Sequence, residues 1–500
     1  MSLEPAYAAV NTVNTFKLMR SLATFTWGEL LEATGGELVA HHRHFENVSI
    51  ETDTRQLSAL SEADSVFYLP IIGKTFDGQD FIAEAYQTGI EGAFVTQAYL
   101  TTHPELNRFP NLIVVSDTTH AYLALGRFHR RRCGACVVAI TGSSGKTTTK
   151  DMLYLMLSLA KKTQRSEKNF NNEFGVAQTL LGLEPETDVL ILEMGMRGKG
   201  QISLLTRYAE PDIAIITNVG TAHIGLLGST EAIAQAKCEI LEGLSLEAGV
   251  AILNGDDPLL LRTASGLWQG REEVFTLHDV DNIHRFPPSG LMFDYQEFTF
   301  KMGIIGPHNV LNALACLKVA ECLNINLKRL TKALELYDGG EGRWEKLCLD
   351  ESKNLWVIND AYNANPDSLK ASLISFGELR SEDTDKAALQ KIVFLAHLAE
   401  LGDFEKLYYE RLTDWMVAHE SELSLVFVGE KARLFYSVAQ NTKLKTQWVE
   451  SIEAAVSWVS EYASSNAVFL LKGSREARLD EFIPLFKAVN TTTNAPHAVS

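Results

Sequence analysis

The chain has 500 residues, of which 46% are hydrophobic and 22% charged, and its formal net charge is −18. This length is too great for a single hydrophobic core and predicts about three domains, while the acidic balance argues against nucleic acid or an anionic membrane as the main partner. No apolar run reaches the ~20 residues that span a bilayer, and no basic-then-apolar leader opens the chain, so we expect a cytoplasmic protein without membrane insertion.

The first 130 residues alternate short apolar runs with helical patterns, which predicts a small α/β domain. Two polar segments stand out within it, residues 52–55 and residues 67–81. By itself the second segment is more typical of a turn before a helix than of a binding site. A helix over residues 119–132 is expected to lead into the next domain. The candidate functional side chains of this region are Thr54, Arg55, Lys74, Phe76 and Asp77.

Residues 137–150, VVAITGSSGKTTTK, form the most informative stretch of the chain. A β-branched run predicts a buried strand, a turn bracketed by glycines follows it, and a lysine and three threonines then open a helix with one apolar face. Such a turn presents backbone N–H groups and a helix N-terminus to phosphate, with Lys146 beside the β- and γ-phosphates and the Thr147 hydroxyl placed for Mg²⁺. The usual loop has four residues between its glycines and this one has two, so a chance glycine-rich turn is the alternative to a shortened ATP loop.

Polar residues follow the next apolar runs, at 189–192, 213–216 and 251–253. Continuous apolar runs of this kind predict parallel strands covered by helices on both faces, and ligands bind beyond the carboxyl ends of such strands. Glu193 and His223 are therefore expected near the phosphate loop. A carboxylate and an imidazole beside Thr147 would suit Mg²⁺, although a lone Glu or His at a strand end is usually structural.

Residues 339–342 are glycine-rich and predict a flexible joint, hence a domain boundary near residue 341. Beyond it, strands expected at 356–358, 391–395, 425–428 and 468–471 alternate with helical spans, which predicts a second α/β layer. Three polar segments follow these strands and are expected to line a second crevice. They are residues 359–368, 399–402 and 472–475.

These motifs resemble the Mur ligases, ATP-dependent amide-bond-forming enzymes of peptidoglycan precursor synthesis. TGSSGKTT at 141–148 resembles their shortened phosphate loop, and EMG at 193–195, NVGTAH at 218–223 and GPHNVLN at 306–312 resemble their metal and adenine elements. The resemblance covers about residues 25–480 in the same order. It implies an N-terminal α/β domain binding a UDP-sugar-peptide (1–130), a central P-loop-type parallel-sheet ATPase domain (131–341) and a C-terminal Rossmann-like domain binding the amine (342–500).

Within the family, DAYNANPDS at 360–368 and KGSR at 472–475 are similar to the member that adds D-alanyl-D-alanine to UDP-N-acetylmuramoyl-tripeptide. That resemblance implies an acyl-phosphate intermediate, the partners ATP, tripeptide and dipeptide, and a monomer. Two departures affect side-chain contacts: Gln79 stands where the family usually has His, and His397 lies in a segment where it usually has Leu-Gly-Asp-Met. Another ligase of this fold, MurE-like or folylpolyglutamate synthetase-like, is the near alternative, and a non-catalytic nucleotide-binding regulator is the distant one.

The resemblance also implies residue roles. Catalysis is assigned to Lys146, His223 and Lys237, and Mg²⁺ to Thr147, Glu193, His223 and Lys237. A carbamylated Lys237 would serve a second Mg²⁺; an ordinary exposed helical lysine is the alternative. The residues expected to bind ATP are Gly142, Ser143, Ser144, Gly145, Lys146, Thr147, Thr148, Asn309, Asn312 and Arg343. Besides the five N-terminal candidates, those expected to bind substrate are Asn169, Asn171, Asn172, Tyr362, Asn363, Asn365, Lys472 and Ser474.

Overall fold

The computed structural model describes residues 23–39, 43–57, 65–286, 290–379, 389–420, 422–462 and 465–493. In these ranges the strands form three six-stranded sheets and one three-stranded sheet. The strands are β1 (Thr24–Phe25), β2 (Glu37–Leu38), β3 (Val48–Glu51), β4 (Val66–Tyr68), β5 (Gly92–Thr96), β6 (Leu112–Val115), β7 (Cys136–Thr141), β8 (Thr163–Arg165), β9 (Val189–Glu193), β10 (Ile213–Ile216), β11 (Val250–Asn254), β12 (Arg271–Phe275), β13 (Val280–Phe286), β14 (Gly290–Tyr295), β15 (Phe298–Met302), β16 (Glu345–Asp350), β17 (Leu355–Asn359), β18 (Gln390–Leu395), β19 (Ser424–Val428), β20 (Lys445–Val449) and β21 (Ala467–Lys472).

Helices connect most of the parallel strands, as the crossover between parallel neighbours requires. None of those in the described ranges is both long and apolar enough to cross a membrane. The α-helices span Trp27–Thr34, Thr54–Leu57, Ile82–Gln87, Gln97–Thr102, Thr118–Cys133, Lys146–Ser158, Glu173–Leu181, Gln201–Ala209, Ile224–Leu227, Thr230–Cys238, Pro258–Ser265, Pro307–Cys322, Pro366–Gly377, Glu405–His419, Arg433–Ala439, Ile452–Tyr462 and Phe482–Thr493.

The N-terminal sheet has the order β1-β3-β4-β5-β6-β2. Its four inner strands are parallel, and β1 and β2 pair antiparallel at the two edges. This confirms the predicted small α/β domain. The two edge strands were not predicted, because a strand of two residues is too short to show a period of alternation.

The central sheet is parallel throughout, in the order β12-β11-β10-β7-β9-β8. Strands β9, β10 and β11 are buried along their whole length, as expected for a sheet covered on both faces. The chain runs from β7 to β8 and β9 on one side and later returns to β10 on the other. The phosphate loop after β7 therefore lies at the reversal of strand order, where ligands bind in open α/β sheets.

A three-stranded antiparallel sheet, β13-β14-β15, follows the central sheet and was not predicted. Leu291, Phe293 and Tyr295 of β14 point inward with a period of two, and the rings of Phe293 and Phe300 stack with centroids 5.6 Å apart. This alternation is the usual signal of a half-buried strand, so strand β14 could have been predicted from the sequence.

The C-terminal sheet has the order β16-β17-β21-β18-β19-β20 and is parallel except for the β16–β17 pair. The four strands expected here are all present, which confirms the second, mostly parallel α/β layer. Because β17 and β21 are neighbours, the polar segments that follow them emerge side by side. The domain boundaries at residues 130 and 341 stay predictions; residue 130 lies inside the helix Thr118–Cys133, between the first two sheets.

Candidate active site

The phosphate loop connects β7 to the helix Lys146–Ser158, and two of its residues must be glycine. Gly142 has φ +154° and Gly145 has φ +81°, backbone conformations that other residues adopt at a cost. A Cβ atom at Gly142 would lie 1.8 Å from Thr217 Oγ1, and one at Gly145 would lie 2.5 Å from Asn312 Oδ1. The loop is therefore packed directly against Thr217, which follows β10, and against the helix Pro307–Cys322.

Lys146 folds back over the loop, and its Nζ donates to the Gly142 carbonyl over 2.8 Å. Burial lowers the pKa of the Lys146 ammonium although Glu193 and Glu400 favour its charged form. Asn218 fixes the other side of the loop, since its Oδ1 accepts a hydrogen bond from Ser144 N over 3.0 Å. A cation and converging N–H groups at a helix N-terminus are the elements that bind phosphate.

Glu193 lies at the end of β9, buried beside the loop. Its Oε2 accepts a hydrogen bond from Thr147 Oγ1 over 2.7 Å, and its Oε1 accepts one from Asn171 Nδ2 over 2.8 Å. Burial opposes ionisation, but Lys150, Lys146 and the hydrogen bond from Thr147 outweigh it and hold the pKa of the Glu193 carboxyl below its ordinary value. Glu193 is therefore a carboxylate near neutral pH.

Lys150 is a site residue that the sequence analysis missed. Its Nζ lies 3.6 Å from Glu193 Oε2 and donates to the Lys168 carbonyl over 2.9 Å, and both members of the ion pair are 2% exposed. Lys150 follows Lys146 by one helical turn, so the spacing could have placed both on one face. Lys150 neutralises Glu193 and fixes the start of the asparagine-rich segment.

The residues around Glu193 fit Mg²⁺. The described ranges contain no group of three His, Cys, Asp or Glu side chains placed to hold a metal. Mg²⁺ needs no such cage, because it commonly keeps several waters and is held by one or two carboxylates and the phosphates of its substrate. The Thr147 hydroxyl and the Glu193 carboxylate, already in contact, provide the protein oxygens for an ion that arrives with a nucleotide.

His223 follows β10 with φ +68°, and it faces the C-terminal domain. Its Nδ1 lies 2.5 Å from Glu400 Oε2, and the neighbouring Gly225 N donates to the Glu400 carbonyl over 2.9 Å. The imidazole holds the pKa of the Glu400 carboxyl below its ordinary value, against the effect of burial. His223 lines the same cleft as Thr147 and Glu193, with Nδ1 turned to Glu400.

Lys237 lies on the helix Thr230–Cys238, as expected, but it is 1% exposed, so it is not the exposed helical lysine considered as the alternative. Burial lowers the pKa of its amine well below the ordinary value, and the charge of Lys146 lowers it further. Among the described residues none forms a hydrogen bond or ion pair with its Nζ. Lys237 is thus a buried amine whose charged form is disfavoured, and it also lines the cleft.

Asn309 and Asn312 share one face of the helix Pro307–Cys322, as predicted. Asn309 Nδ2 donates to the Ile305 carbonyl over 2.7 Å, and Asn312 Oδ1 accepts from Thr149 Oγ1 over 3.3 Å. Both line the cleft, and the Asn312 side chain links this helix to the phosphate-loop helix through Thr149. Burial lowers the pKa of the neighbouring His308 to about 4, so its imidazole is neutral near pH 7. The adenine-binding role of the two asparagines stays a prediction.

Of the N-terminal candidates, Lys74 lines this cleft, whereas Thr54, Arg55, Phe76 and Asp77 do not. Arg55 forms an ion pair with Asp53, with 2.6 Å between Nη2 and Oδ2. The substrate-binding roles of the five N-terminal candidates stay predictions, and four of these residues lie outside the cleft that contains the phosphate loop.

Gln79, one of the two departures from the family pattern, is buried and joins two elements of the N-terminal domain. Its Nε2 donates to Asp77 Oδ2 over 3.1 Å, and its Oε1 accepts from Thr96 N over 2.7 Å. Gln79 therefore fixes the Asp77 carboxylate against β5.

All three predicted asparagines of the segment after β8 line the cleft: Asn169, Asn171 and Asn172. Asn171 binds Glu193 as described, and Asn172 Oδ1 accepts a hydrogen bond from Gly175 N over 3.0 Å, which caps the helix Glu173–Leu181. Two of the three amides therefore already have a structural partner.

The C-terminal candidates lie on the opposite wall of the same cleft: Tyr362, Asn363, Asn365, Lys472 and Ser474. Lys472 Nζ binds Asp360 Oδ2 at 2.7 Å and donates to the Asn363 carbonyl over 3.1 Å. The guanidinium of Arg343 lies 4.2 Å from the centroid of the Tyr362 ring. Ser474 Oγ lies 2.9 Å from Nε2 of His397, which is the other departure from the family pattern.

The sequence predicts two crevices, but in the structure residues of both line one continuous cleft of about 1870 Å³. Asn365 shows why: it caps the helix Pro366–Gly377, and its Nδ2 donates to the carbonyl of Ser143 in the phosphate loop over 3.4 Å. The two polar edges, which belong to different sheets, are thereby brought face to face. Such an arrangement can hold a phosphate donor and an amine in one cleft.

Comparison with known proteins shows which family the chain belongs to. The model described as "Mur ligase middle domain" matches residues 140–320, and the one described as "Mur ligase, glutamate ligase domain" matches residues 342–475. A Bacillus subtilis protein named UDP-N-acetylmuramoyl-tripeptide--D-alanyl-D-alanine ligase is 31% identical, with 93% of this chain and 97% of that protein covered. The chain belongs to the Mur ligase family.

Two further relatives of this Mur ligase agree with that assignment. A Synechocystis protein of the same name is 36% identical over 73% of this chain and 75% of its own length. The crystal structure of MurF from Acinetobacter baumannii superimposes with a TM-score of 0.79 at 27% identity, covering 94% of this chain and all of that one. The likeness therefore extends over all three domains, as the sequence motifs predicted.

Proposed function

We propose that this Mur ligase joins D-alanyl-D-alanine to UDP-N-acetylmuramoyl-tripeptide at the expense of ATP, giving the pentapeptide, ADP and phosphate. The observation that carries the proposal is the single cleft, in which the phosphate loop faces the segment from Tyr362 to Asn365. The relatives named for this activity cover nearly the whole chain. We therefore expect ATP to bind in the central domain and the dipeptide in the C-terminal domain.

The reaction needs positioned charges and no side-chain nucleophile. A carboxylate oxygen of the tripeptide attacks the γ-phosphorus of ATP, ADP leaves, and an acyl phosphate forms. The dipeptide amine then attacks the acyl carbon, loses a proton, and phosphate leaves with the C–O bond electrons. Lys146, folded over the phosphate loop, stabilises negative charge on the transferring phosphoryl group. The cleft keeps the three reactants close and limits water around the acyl phosphate.

We propose that Thr147, Glu193 and His223 hold Mg²⁺ together with the nucleotide phosphates. When bound, the ion neutralises charge on the phosphates. Glu193 is ready for this role because it is ionised although buried. Thr147 and Asn171 orient both of its oxygens, and Lys150 offsets its charge while no ion is near.

We propose that Lys237 is carbamylated and supplies an oxygen ligand for a second Mg²⁺. The neutral amine nitrogen attacks the carbon of CO₂ and one N–H proton leaves, so the amine becomes an anionic carbamate. The reaction requires an unprotonated amine, and burial together with the charge of Lys146 favours that form of Lys237. A carbamate there would also give Lys146 a partner of opposite charge.

We propose that the protein acts as a cytoplasmic monomer on small molecules. The two walls of the cleft that face each other, the phosphate loop and the segment from Tyr362 to Asn365, belong to the same chain. The substrates are nucleotide-linked precursors and a free dipeptide.

An amine-selection experiment tests the function. Wild-type protein should ligate D-alanyl-D-alanine to UDP-N-acetylmuramoyl-tripeptide in preference to L-lysine, meso-diaminopimelate or L-glutamate, because a short polar segment on the C-terminal wall suits a small zwitterion. Product formation by mass spectrometry, with the four amines offered in parallel, measures this. Preferential ligation of a diamino acid would assign a MurE-like activity, and ligation of glutamate to a folate would assign a folylpolyglutamate synthetase-like one.

Asn363→Ala should raise the KM for D-alanyl-D-alanine about tenfold and change the KM for ATP about twofold or less, since a lost hydrogen bond to a charged ligand costs about that much. Asn363 is exposed in the cleft, and its amide forms no hydrogen bond within the described residues. Steady-state kinetics with each substrate varied in turn give the two constants. An equal rise in both would contradict a dipeptide contact.

Asn365→Ala is the matched comparison for Asn363→Ala. Its amide oxygen already caps the helix Pro366–Gly377 by accepting from Ser368 N over 2.8 Å. Removing that cap should cost about 1 kcal/mol of stability, so this variant should lower the melting temperature where Asn363→Ala leaves it unchanged.

A further inference from the structure

The start of the helix Pro366–Gly377 reaches from the C-terminal domain into the central domain. Asp367, in the first turn of this helix, directs its carboxylate to the loop after β10. Its Oδ2 accepts a hydrogen bond from Thr221 N over 2.6 Å and another from Thr221 Oγ1 over 2.7 Å. A single carboxylate oxygen thus holds both donors of one residue of the other domain.

This contact continues into the phosphate loop. Gly220 N donates to Ser143 Oγ over 2.8 Å, and Asn365 Nδ2 donates to the Ser143 carbonyl. A Cβ atom at Gly220 would lie 2.4 Å from Asp367 Oδ2 and 3.3 Å from Ser143 Cβ, so a glycine allows the three segments to meet. The phosphate loop, the loop after β10 and the C-terminal helix are therefore in mutual contact at one point.

An Asp in the first turn of a helix often does no more than favour the helix dipole. Here that role is limited, because Asn365 already caps the helix and the Asp367 carboxylate points across the domain boundary to Thr221. The contact between Asp367 and Thr221 therefore links the C-terminal domain to the central domain.

We infer that Asp367 is a positioning residue: through Thr221 it holds the dipeptide-binding wall at a fixed distance from the phosphate loop. This deepens the proposed function and rests on it. Attack of the amine on the acyl phosphate requires the reacting atoms to approach within about 3–3.5 Å, so small displacements of this wall slow ligation. A wall that no longer seats on the loop also admits water to the acyl phosphate, which then hydrolyses to carboxylate and phosphate.

Asp367→Ala and Asp367→Asn test the inference. We expect the KM for D-alanyl-D-alanine to rise about tenfold or more in the alanine variant, with a smaller rise in the asparagine variant, whose side-chain oxygen still accepts from Thr221. The ratio of phosphate released to pentapeptide formed should rise severalfold above the wild-type value near one. Asp414→Asn removes the same charge from an exposed position of the same domain and should leave both quantities unchanged.

Thr221→Val provides the test from the other side of the contact. It removes the hydroxyl donor, keeps the backbone N–H and remains usable if Asp367→Ala does not fold. Thr221→Val should raise the ratio of phosphate released to pentapeptide formed. In the double variant with Asp367→Asn, the rise in this ratio should be less than the two single effects combined. Folded variants with wild-type KM and a phosphate ratio near one would overturn the positioning role. Failure of the wild-type protein to ligate the dipeptide would instead overturn the proposed function.

Discussion

Replacing Lys146 with alanine should lower the rate of ligation by at least two orders of magnitude, about 10²–10³, and leave the protein folded. The Lys146 ammonium is the cation that folds over the phosphate loop, so its loss removes charge stabilisation of the transferring phosphoryl group. Losing one preorganised group of this kind costs about 10²–10³ in kcat. Because the side chain lies in the cleft, its removal should open no cavity in the core. Parallel assays of pentapeptide formation and phosphate release measure the effect.

Lys161→Ala is the control for Lys146→Ala, since it removes an exposed lysine from the same domain, away from the cleft. It should retain full activity. The melting temperature of both variants establishes that they are folded. A folded Lys146→Ala protein with near-normal phosphate release would contradict a role of Lys146 in phosphoryl transfer.

Replacing Lys237 should lower ligation by about 100-fold or more, because the carbamate proposed there would supply a negatively charged ligand for the proposed second Mg²⁺. Lys237→Met is the sharper variant, since it fills nearly the same buried volume without an amine, whereas Lys237→Ala also leaves a cavity. Acetate or formate should restore part of the activity of the alanine variant, because a small carboxylate can enter the space that the side chain leaves.

Carbamylation of Lys237 can be tested directly by supplying the wild-type protein with ¹³C-bicarbonate. A carbamate carbon should appear in the ¹³C NMR spectrum of active protein and disappear in Lys237→Met. Active protein without that signal would make Lys237 an ordinary buried amine. Equal activity of Lys237→Met and wild type would contradict the proposal that Lys237 supplies a metal ligand.

Much of the central domain could be predicted because its signals are local. The run at 137–140 and the glycines after it predict strand, turn and helix from neighbouring residues alone. Once the strands are parallel, their carboxyl ends must share one edge, which places Glu193 and His223 on the same side as Lys146. The antiparallel sheet β13-β14-β15 was missed although residues 291–295 alternate clearly.

The rest of the site depends on packing between segments far apart in the chain. The burial of Lys237, the pairing of Lys150 with Glu193 and the contact of His223 with Glu400 each join residues that no local pattern relates. The fusion of two crevices into one follows from how two sheets face each other.

The hydrogen bonds between the central and C-terminal domains have a thermodynamic consequence. Asp367 binds Thr221, and the Glu400 carbonyl binds Gly225, only while the two domains touch. A nucleotide or dipeptide that bridges the cleft favours the touching arrangement. Reciprocity then requires that the nucleotide tighten dipeptide binding by the same factor as the dipeptide tightens nucleotide binding. We therefore expect the nucleotide and the dipeptide to bind cooperatively, with the affinity of each depending on contacts in both domains.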